Sequence, residues 1–429
     1  MERYSEYKDS GIQWLGEIPS HWDAVRTKYV ARLYTGNSLN EREKEKYSSS
    51  VDDCYPYISS KDISLETESV NYNNGLSIPK GEKAFELAPS NSFLLCIEGG
   101  SAGRKKAFLT EDVCFVNKLC CFNSEINPKY HYYTLQSFYF GAKFRSSLQG
   151  MIGGVSVSTI KNFYLTVPSK KEQVKIVAYL DEIIGKIHTA IEQQKKMIDL
   201  LNERKQIIIN NAVTKGLNIK APMKDSGVDW IGEIPEHWGI KRGKFLFDII
   251  NEYSSTGEEE LLTVSDRTGI TPRSMKNVTM FMAESLVGYK KCKIGDICSN
   301  IMWMWHGAVG VTKYDGVISP SYGVYRQKKL YYNGEYLDML LRLPQLVKFY
   351  ASRSTGLTES RLRLYPDDFM NIYFFVPPIE EQEMIVNRLK TICEPIESAI
   401  DAATQQIYLL QERKQIIIND VVTGKVKVS

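Results

Sequence analysis

Two stretches of this 429-residue chain combine residue types that could recognise nucleic acid. In "EGGSAGRKKAF" (98–108) the glycines permit a tight turn, and Arg104, Lys105 and Lys106 supply positive charge beside it. In "DICSNIMWMWHGAVGVTKYDGVISPSYGVYR" (296–326) a strand, a Gly-rich turn and a second strand carry Trp303, Trp305, His306, Lys313 and Tyr322. Glycine turns flanked by cations and aromatic rings suit close approach to a phosphate backbone or to base edges. They equally suit ordinary hairpins, so the chemistry rests on what surrounds them.

Catalytic signatures do not compete with this reading. The chain has no G-x-x-x-x-G-K-[ST] phosphate loop, no G-x-G-x-x-G after a strand and no H-E-x-x-H, and no Asn-Pro-Pro-Tyr-type methyltransferase motif. Pro366-Asp367 followed by Glu412-Arg413-Lys414 is a near miss for a metal-dependent nuclease. Yet Glu-Arg-Lys recurs at 203–205 with no Pro-Asp upstream, which points to a repeated helix instead. The 8 cysteines form no C-x-x-C pair and have no histidine companions at zinc spacing, so reduced, mostly buried thiols are expected and no metal. His21 and His237 stand beside Trp22 and Trp238 without further ligands nearby, and read as aromatic packing.

Composition describes an ordinary soluble globular protein, with 43% hydrophobic and 24% charged residues, and a length that suggests roughly two to three domains. The net charge of +3 neither requires nor excludes a polyanionic partner. No secretory leader or membrane-length apolar run is visible, so a cytoplasmic location with no membrane partner is expected.

The elements that would position the two stretches emerge from an internal repeat. "KDSGIQWLGEIPSHW" (8–22) and "KDSGVDWIGEIPEHW" (224–238) agree at 11 of 15 positions, at an offset of 216. "LNERKQIIINNAVT" from Leu201 and "LQERKQIIINDVVT" from Leu410 match at an offset of 209, as do Val167-Pro168 with Glu172-Gln173 and Val376-Pro377 with Glu381-Gln382. The chain is two tandem halves whose ends are duplicated, while the middles (roughly 25–165 and 240–375) share almost no sequence and differ by 7 residues in length. In the duplicated entrance, Trp14, Pro19 and Trp22, with Trp230, Pro235 and Trp238, read as anchors tying each middle to a common frame.

The frame is helical. Val177, Leu180, Ile184, Ile187, Ile191, Gln194, Ile198, Leu201, Lys205 and Ile208 alternate three and four apart, and the same seam recurs 209 residues later from Val386 to Ile417. A heptad seam this long predicts helices that bury a narrow stripe on a partner helix. From about Lys171 to Asn211 the first would be roughly 60 Å long. Pro395 predicts a bend or break in the second, because proline removes a helical hydrogen bond. The "ERKQ" tetrads, Glu203, Arg204, Lys205, Gln206 and Glu412, Arg413, Lys414, Gln415, are candidates for docking a partner subunit.

The expected architecture is α/β of the mixed α+β type. It has two globular recognition domains separated by two long helices that form an antiparallel coiled coil, with a pseudo-twofold internal repeat. The expected boundaries are 1–166 for the first domain, with its entrance at 7–22, and 167–221 for the central helix. The second domain is placed at 222–375, entered at 223–238, and the distal helix at 376–429.

The duplicated "KDSG…W.GEIP.HW", the "VP…EQ" lead-in to a heptad helix, the "ERKQIIIN" ends and "MWMWHGAVGVTKYDGVISPSYGVYR" together resemble a specificity subunit of a type I restriction-modification system, the HsdS class. The resemblance covers essentially the whole chain. It implies that each middle is a target-recognition domain reading one half of a bipartite double-stranded DNA site. The helices would set the spacer and dock two methyltransferase (M) subunits, and two restriction/translocase (R) subunits would join. Adenine N6 methylation and cleavage, with S-adenosylmethionine, ATP and magnesium, would belong to those partners, leaving this chain non-catalytic and without a cofactor. The same pattern implies Asn300, Trp303, Trp305, His306, Gly307 and Ser319 as the second DNA surface. "CIEGGSAGRKKAF" is the comparable turn of the first, with Glu98 where the family often has a basic or neutral residue. Gln149, Ser158, Thr355, Arg361 and Arg363, in segments entering the helices, complete the candidates. A specificity element of a type IIB-like bifunctional system, a nuclease built on Asp367, Glu412 and Lys414, and a protein-only scaffold are the alternatives.

Overall fold

The computed structural model describes residues 2–13, 15–48, 53–150, 153–276, 283–358 and 361–428, so the expected anchor Trp14 lies outside the described residues. The chain divides into two compact units, one made of Met1–Lys195 with Thr404–Ser429 and the other of Lys196–Ala403. Each unit thus takes its own middle plus a piece of both long helices, a partition that linear boundaries do not express.

In the first unit the entrance is a hairpin of Tyr7–Asp9 with Glu17–Pro19. Asp23–Arg26 then pairs antiparallel with Tyr164–Val167, which closes the middle onto its own two ends. Between them lies an antiparallel sheet in the order Ala31–Thr35, Leu119–Ser124, Phe93–Cys96, Lys106–Phe108. A second sheet, ordered Ser77–Pro79, Cys54–Ile58, Val113–Phe115, Leu87–Ala88, lies against it. Strand periodicity explains the continuous apolar runs. Phe93, Leu95, Cys120 and Phe122 face the core shared with the helices, and Leu94, Cys96, Leu119 and Cys121 face the core shared with the second sheet.

The second unit repeats this plan with different residues. Met223–Asp225 pairs with Glu233–Pro235, and Gly239–Arg242 with Tyr373–Val376. The antiparallel sheet runs Phe247–Ile249, Gly323–Gln327, Ile297–Ser299, Val309–Val311. The helices Pro128–Thr134, Phe138–Ser146 and Val157–Ile160 of the first unit correspond to Gly334–Leu341, Pro344–Arg353 and Pro366–Met370 of the second. Middles without sequence likeness therefore share one topology.

The long helices are Lys170–Lys215 and Ile379–Val422. In the first unit Ile176, Leu180, Ile184 and Ile187 share a core with Ile417, Ile418, Val421 and Val422; in the second, Ile385, Val386, Leu389 and Cys393 share one with Ala212 and Val213. In each unit the start of one helix meets the end of the other, which is antiparallel pairing, and every predicted seam position is buried or half-buried. Pro395 corrects the expectation of a break: the helix continues through it. Pro395 is exposed, where water can hydrogen-bond the carbonyl that its missing N–H leaves unpaired.

Of the 8 cysteines all are free, and only Cys54 is not buried. Burial pushes the Cys114 thiol up to about 12. Among the described residues no helix is long and apolar enough to cross a membrane.

Candidate nucleic-acid interface

The frame holds each middle by a repeated clasp. His21 Nε2 lies 3.0 Å from Glu172 Oε1, and Trp22 Nε1 donates to the same oxygen at 3.4 Å. The equivalent His237 and Trp238 meet Glu381 Oε2 at 2.8 and 3.0 Å. Burial opposes ionisation of Glu172, but hydrogen bonds from His21, Ser169 and Trp22 outweigh it and hold its carboxyl below the ordinary range. The duplicated His-Trp therefore serves to grip the helix that carries "EQ".

The neighbouring glutamine completes the grip. Buried Gln173 accepts from Asn127 N (2.9 Å) and donates to Pro168 O (2.9 Å); Gln382 accepts from Asn333 N (2.9 Å) and donates to Pro377 O (2.9 Å). Asn127 and Asn333 are the N-caps of equivalent helices. Tyr336 donates to Val213 O at 2.7 Å, and Tyr130 lies 3.4 Å from Val422 O, its counterpart. Sequence reasoning found the two glutamines as a repeat but missed the Asn and Tyr residues they work with. A constant offset between Asn127-x-x-Tyr130 and Asn333-x-x-Tyr336 is the signal that could have found them.

On this frame the two glycine turns fall at the same place in the fold. Residues 97–105 join the Phe93–Cys96 and Lys106–Phe108 strands, and residues 300–308 join Ile297–Ser299 and Val309–Val311. Gly103 (φ +72°) and Gly307 (φ +94°) both need left-handed backbone. A Cβ on Gly103 would come 2.6 Å from the Phe144 ring, so the turn lies directly on its helix. The segments after that helix border the turns: Val155 N donates to Ile97 O (2.9 Å) and Gly99 N to Gly153 O (2.9 Å), and Leu364 N donates to Ile301 O (3.1 Å). The structure thus brings exposed Gln149 to the first turn and Arg361 and Arg363 to the second, while Ser158, also exposed, lies in a cleft with Tyr139, Lys143 and Asn162.

The candidates separate once placed. In the first head Arg104 is exposed. Lys105 Nζ instead donates to Ser60 O (2.7 Å), and Lys106, only 14% exposed, pairs with Glu68 at 3.3 Å. These two lysines correct the expectation of a three-residue basic surface, because both charges are spent inside the head. Exposed Lys118, whose carbonyl accepts Ile97 N (2.9 Å), stands beside the turn and was not singled out from sequence.

In the second head Trp303 is 53% exposed and stacks on Trp305, ring centroids 5.8 Å apart and planes at 19°. Trp305 Nε1 donates to Met302 O (2.9 Å), which fixes the pair. His306 is exposed with Nδ1 3.0 Å from Asp266 Oδ2. Burial opposes ionisation of Asp266, yet the Arg267 backbone N–H, Ser265 and His306 outweigh it and hold that carboxyl low. Asn300 is buried, donating to Tyr322 Oη (2.8 Å) and accepting from Met302 N (3.1 Å). Asn300 and Tyr322 therefore build the turn, and the Ser319 side chain, 3.0 Å from Ser321 Oγ, lies in the adjoining bend. Thr355 and Arg363 exchange backbone hydrogen bonds (2.9 and 3.0 Å), and one nitrogen of the Arg363 guanidinium is buried without a partner. Lys313 stands beyond the far end of the Val309–Val311 strand from the tryptophans, lining a cleft with Lys205, Asp338 and Leu389.

The tetrads on the helices divide as well. Lys205 pairs with Glu397, and Lys414 Nζ lies 3.0 Å from His188 Nε2, with Gln415 donating to Gln136 O. Burial lowers the Lys414 pKa. Lys414 and Gln415 turn inward, which corrects their assignment to a partner surface, while Lys205, 28% exposed, is held by Glu397 at the rim of a cleft. Glu203, Arg204, Gln206, Glu412 and Arg413 remain exposed. They are flanked by exposed apolar residues that repeat at the same offset: Leu200 and Ile207, then Leu409 and Ile416, each 43–55% exposed. A spacing of seven places each pair on one helix face.

The nuclease alternative gains nothing. Asp367 belongs to the second unit, while Glu412 and Lys414 belong to the first. Among the described residues no group of three His, Cys, Asp or Glu could hold a metal ion.

Residues 19–198 match the family model described as the type I restriction modification DNA specificity domain, which spans most of the first head and its helix. The MjaVIII specificity subunit of a type I restriction enzyme from Methanocaldococcus jannaschii is 24% identical over 459 residues, covering 100% of this chain and 98% of its own. The MjaIX specificity subunit from the same organism is 22% identical over 457 residues, covering 99% and 97%. A solved chain from a study of complex assembly and conformational transition of the type I R-M system has a similar fold, with TM-score 0.68, 15% identity and coverage of 95% and 99%.

Proposed function

We infer that this chain, a type I restriction-modification specificity subunit, reads DNA with its two heads, one for each half of a bipartite double-stranded site. The observation that carries this reading is the pairing of one topology with two chemistries. The same turn, on the same strands, presents Arg104 in one head, bordered by Lys118 and Gln149, and Trp303, Trp305 and His306 in the other. Two heads of one topology that present different side chains at the same turn suit two different base sequences.

In this reading the helices act as a fixed spacer, much as half-site spacing follows protein geometry in dimeric regulators. Leu200, Glu203, Arg204 and Ile207, repeated as Leu409, Glu412, Arg413 and Ile416, dock two methyltransferase subunits, one per repeat. Two motor-nuclease subunits complete the assembly. S-adenosylmethionine, ATP and magnesium are held by those partners, which also take the target adenine out of the stack. The chain itself contributes recognition and positioning.

The test is a single-molecule map of N6-methyladenine in cells carrying this gene and its partner methyltransferase, compared with cells lacking this gene alone. Loss of one two-part motif with a fixed gap is the expected result. An identical map in both cells, with the methyltransferase shown to be expressed, refutes the reading.

A further inference from the structure

The strand that enters each head is followed by one more repeated feature, inside regions that otherwise share almost no sequence. Thr27–Tyr29 and Gly243–Leu246 are single helical turns at the same step of the fold. Each presents a lysine followed by an aromatic ring, Lys28-Tyr29 and Lys244-Phe245, again 216 residues apart. Tyr29 is 67% exposed and Phe245 59%, and each lysine ammonium sits over its neighbour's ring, 5.1 and 5.2 Å from the centroid.

Two residues earlier, Arg26 and Arg242 repeat a second such contact, lying 5.4 and 4.8 Å over Tyr164 and Tyr373 of the paired strand. The turns are tied to the segments returning from the reading loops. Lys28 N donates to Lys161 O (3.0 Å), and Gly243 N donates to Ile372 O (2.8 Å). Both large rings are thus held more than half in water with cations on their faces.

We propose that Lys28-Tyr29 and Lys244-Phe245 grip the sugar-phosphate backbone of the DNA bound at each head, a contact identical at both half-sites and blind to base sequence. The contact follows from a contrast between the heads, given that both read DNA. Where the heads differ, at the glycine turns, they meet what differs between half-sites. Where two diverged heads present the same cation and ring, they meet what the half-sites have in common. The lysine supplies charge to a phosphate, and the ring packs against the adjoining sugar. A partner subunit is also common to both halves. The repeated faces on the long helices, however, are apolar with mixed charge, whereas each of these turns is purely cationic and aromatic.

The experiment uses the full chain assembled with its methyltransferase partner. Its affinity is measured by fluorescence anisotropy for a cognate duplex and for a scrambled one, from about 50 to about 200 mM salt. Removing both charges, Lys28→Ala with Lys244→Ala, is expected to weaken both duplexes by the same factor, about tenfold, and to reduce the salt slope by about 2. Tyr29→Ala with Phe245→Ala is expected to weaken both duplexes equally while leaving the slope unchanged. Lysine to arginine at both sites should retain the slope. Melting temperatures should not move, because all four side chains are exposed.

An unchanged slope in a complex that still binds cognate DNA overturns this proposal and leaves the head reading intact. Loss confined to the cognate duplex would make these base-reading residues and also overturns it. So does dissociation of the methyltransferase from the variant, seen by light scattering, since the turns would then be protein contacts. An unsubstituted complex that binds neither duplex refutes DNA reading itself.

Discussion

Glu68→Gln should destabilise the first unit selectively. Glu68 Oε1 lies 3.3 Å from Lys106 Nζ, and its Oε2 accepts Tyr132 Oη (2.7 Å) and Gln136 Nε2 (3.3 Å). Burial opposes its ionisation, but Lys106, Lys414 and Tyr132 outweigh that and hold its carboxyl below the ordinary range. Gln keeps the size and loses the charge, leaving Lys106 and Lys414 mutually repelling. Orphaning a buried ion costs ~3–5 kcal/mol. Side-chain exposures of 14% and 19% for Lys106 and Glu68 argue for the lower end, about 3 kcal/mol. Hydrogen exchange should then quicken by on the order of 100-fold in the most protected amides of residues 404–422, with the second unit unchanged. The second unit also supplies the rescue. Its Lys205–Glu397 pair occupies the positions equivalent to Lys414 and His188. His188→Glu in the Glu68→Gln background should therefore restore the part of the loss that comes from Lys414, leaving Lys106 unmatched. A Glu68→Gln protein with wild-type exchange, or one that His188→Glu leaves uncorrected, refutes the argument.

Three other outcomes follow. His131 is buried between Phe93 and Phe122, and burial drops its pKa to about 3. The unfolded chain takes up this proton near 6.5 and the folded one only near 3, so the contribution is complete above pH 6.5 and is lost as pH falls. Going from pH 7 to pH 5 should cost the first unit about 2 kcal/mol, a slope that His131→Phe removes in denaturant titrations. Trp303→Ala, at an exposed ring, should leave stability within ~0.5 kcal/mol yet weaken the complex for cognate DNA by ~1–3 kcal/mol, with base substitutions in only one half-site losing their effect. Leu409→Glu with Ile416→Glu should displace one methyltransferase copy from the assembly, and adding Leu200→Glu and Ile207→Glu should displace the second, as weighed by light scattering.

The frame was legible because helices and entrances obey periodic rules. The heptad seam from Val177 to Ile208 and its repeat are inward-facing as expected, whereas the doubled "HW", read from sequence as aromatic packing, hydrogen-bonds the glutamate of the doubled "EQ". The common topology of the heads was hidden, since short strands buried on both faces accept any apolar residue at each position. Phe93–Cys96 and Ile297–Ser299 fill the same place with no identity in register. Partner choice within a cluster of charges was also illegible. Nothing local to "GRKKAF" says that Lys106 turns to Glu68, 38 residues away, while Arg104 stays exposed. Nor could periodicity decide that Pro395 sits on an exposed helical face that tolerates it.

One head is not interchangeable with another merely because the folds agree. The general fastenings are symmetric. Asn127 with Gln173 matches Asn333 with Gln382, and Tyr130 with Val422 matches Tyr336 with Val213, so any head with the Asn-x-x-Tyr helix can be held. The charge at the helix seam is not symmetric. Lys205 has its acid, Glu397, on the paired helix, so the second unit's frame is self-sufficient. Lys414 faces His188 there and depends on Glu68, which belongs to the first head. The second head can therefore be exchanged without leaving a buried cation unmatched. The first must be replaced by one that brings an acid to the same place, or together with His188→Glu. Modularity in this architecture is set by where the counter-charge resides as much as by the fold.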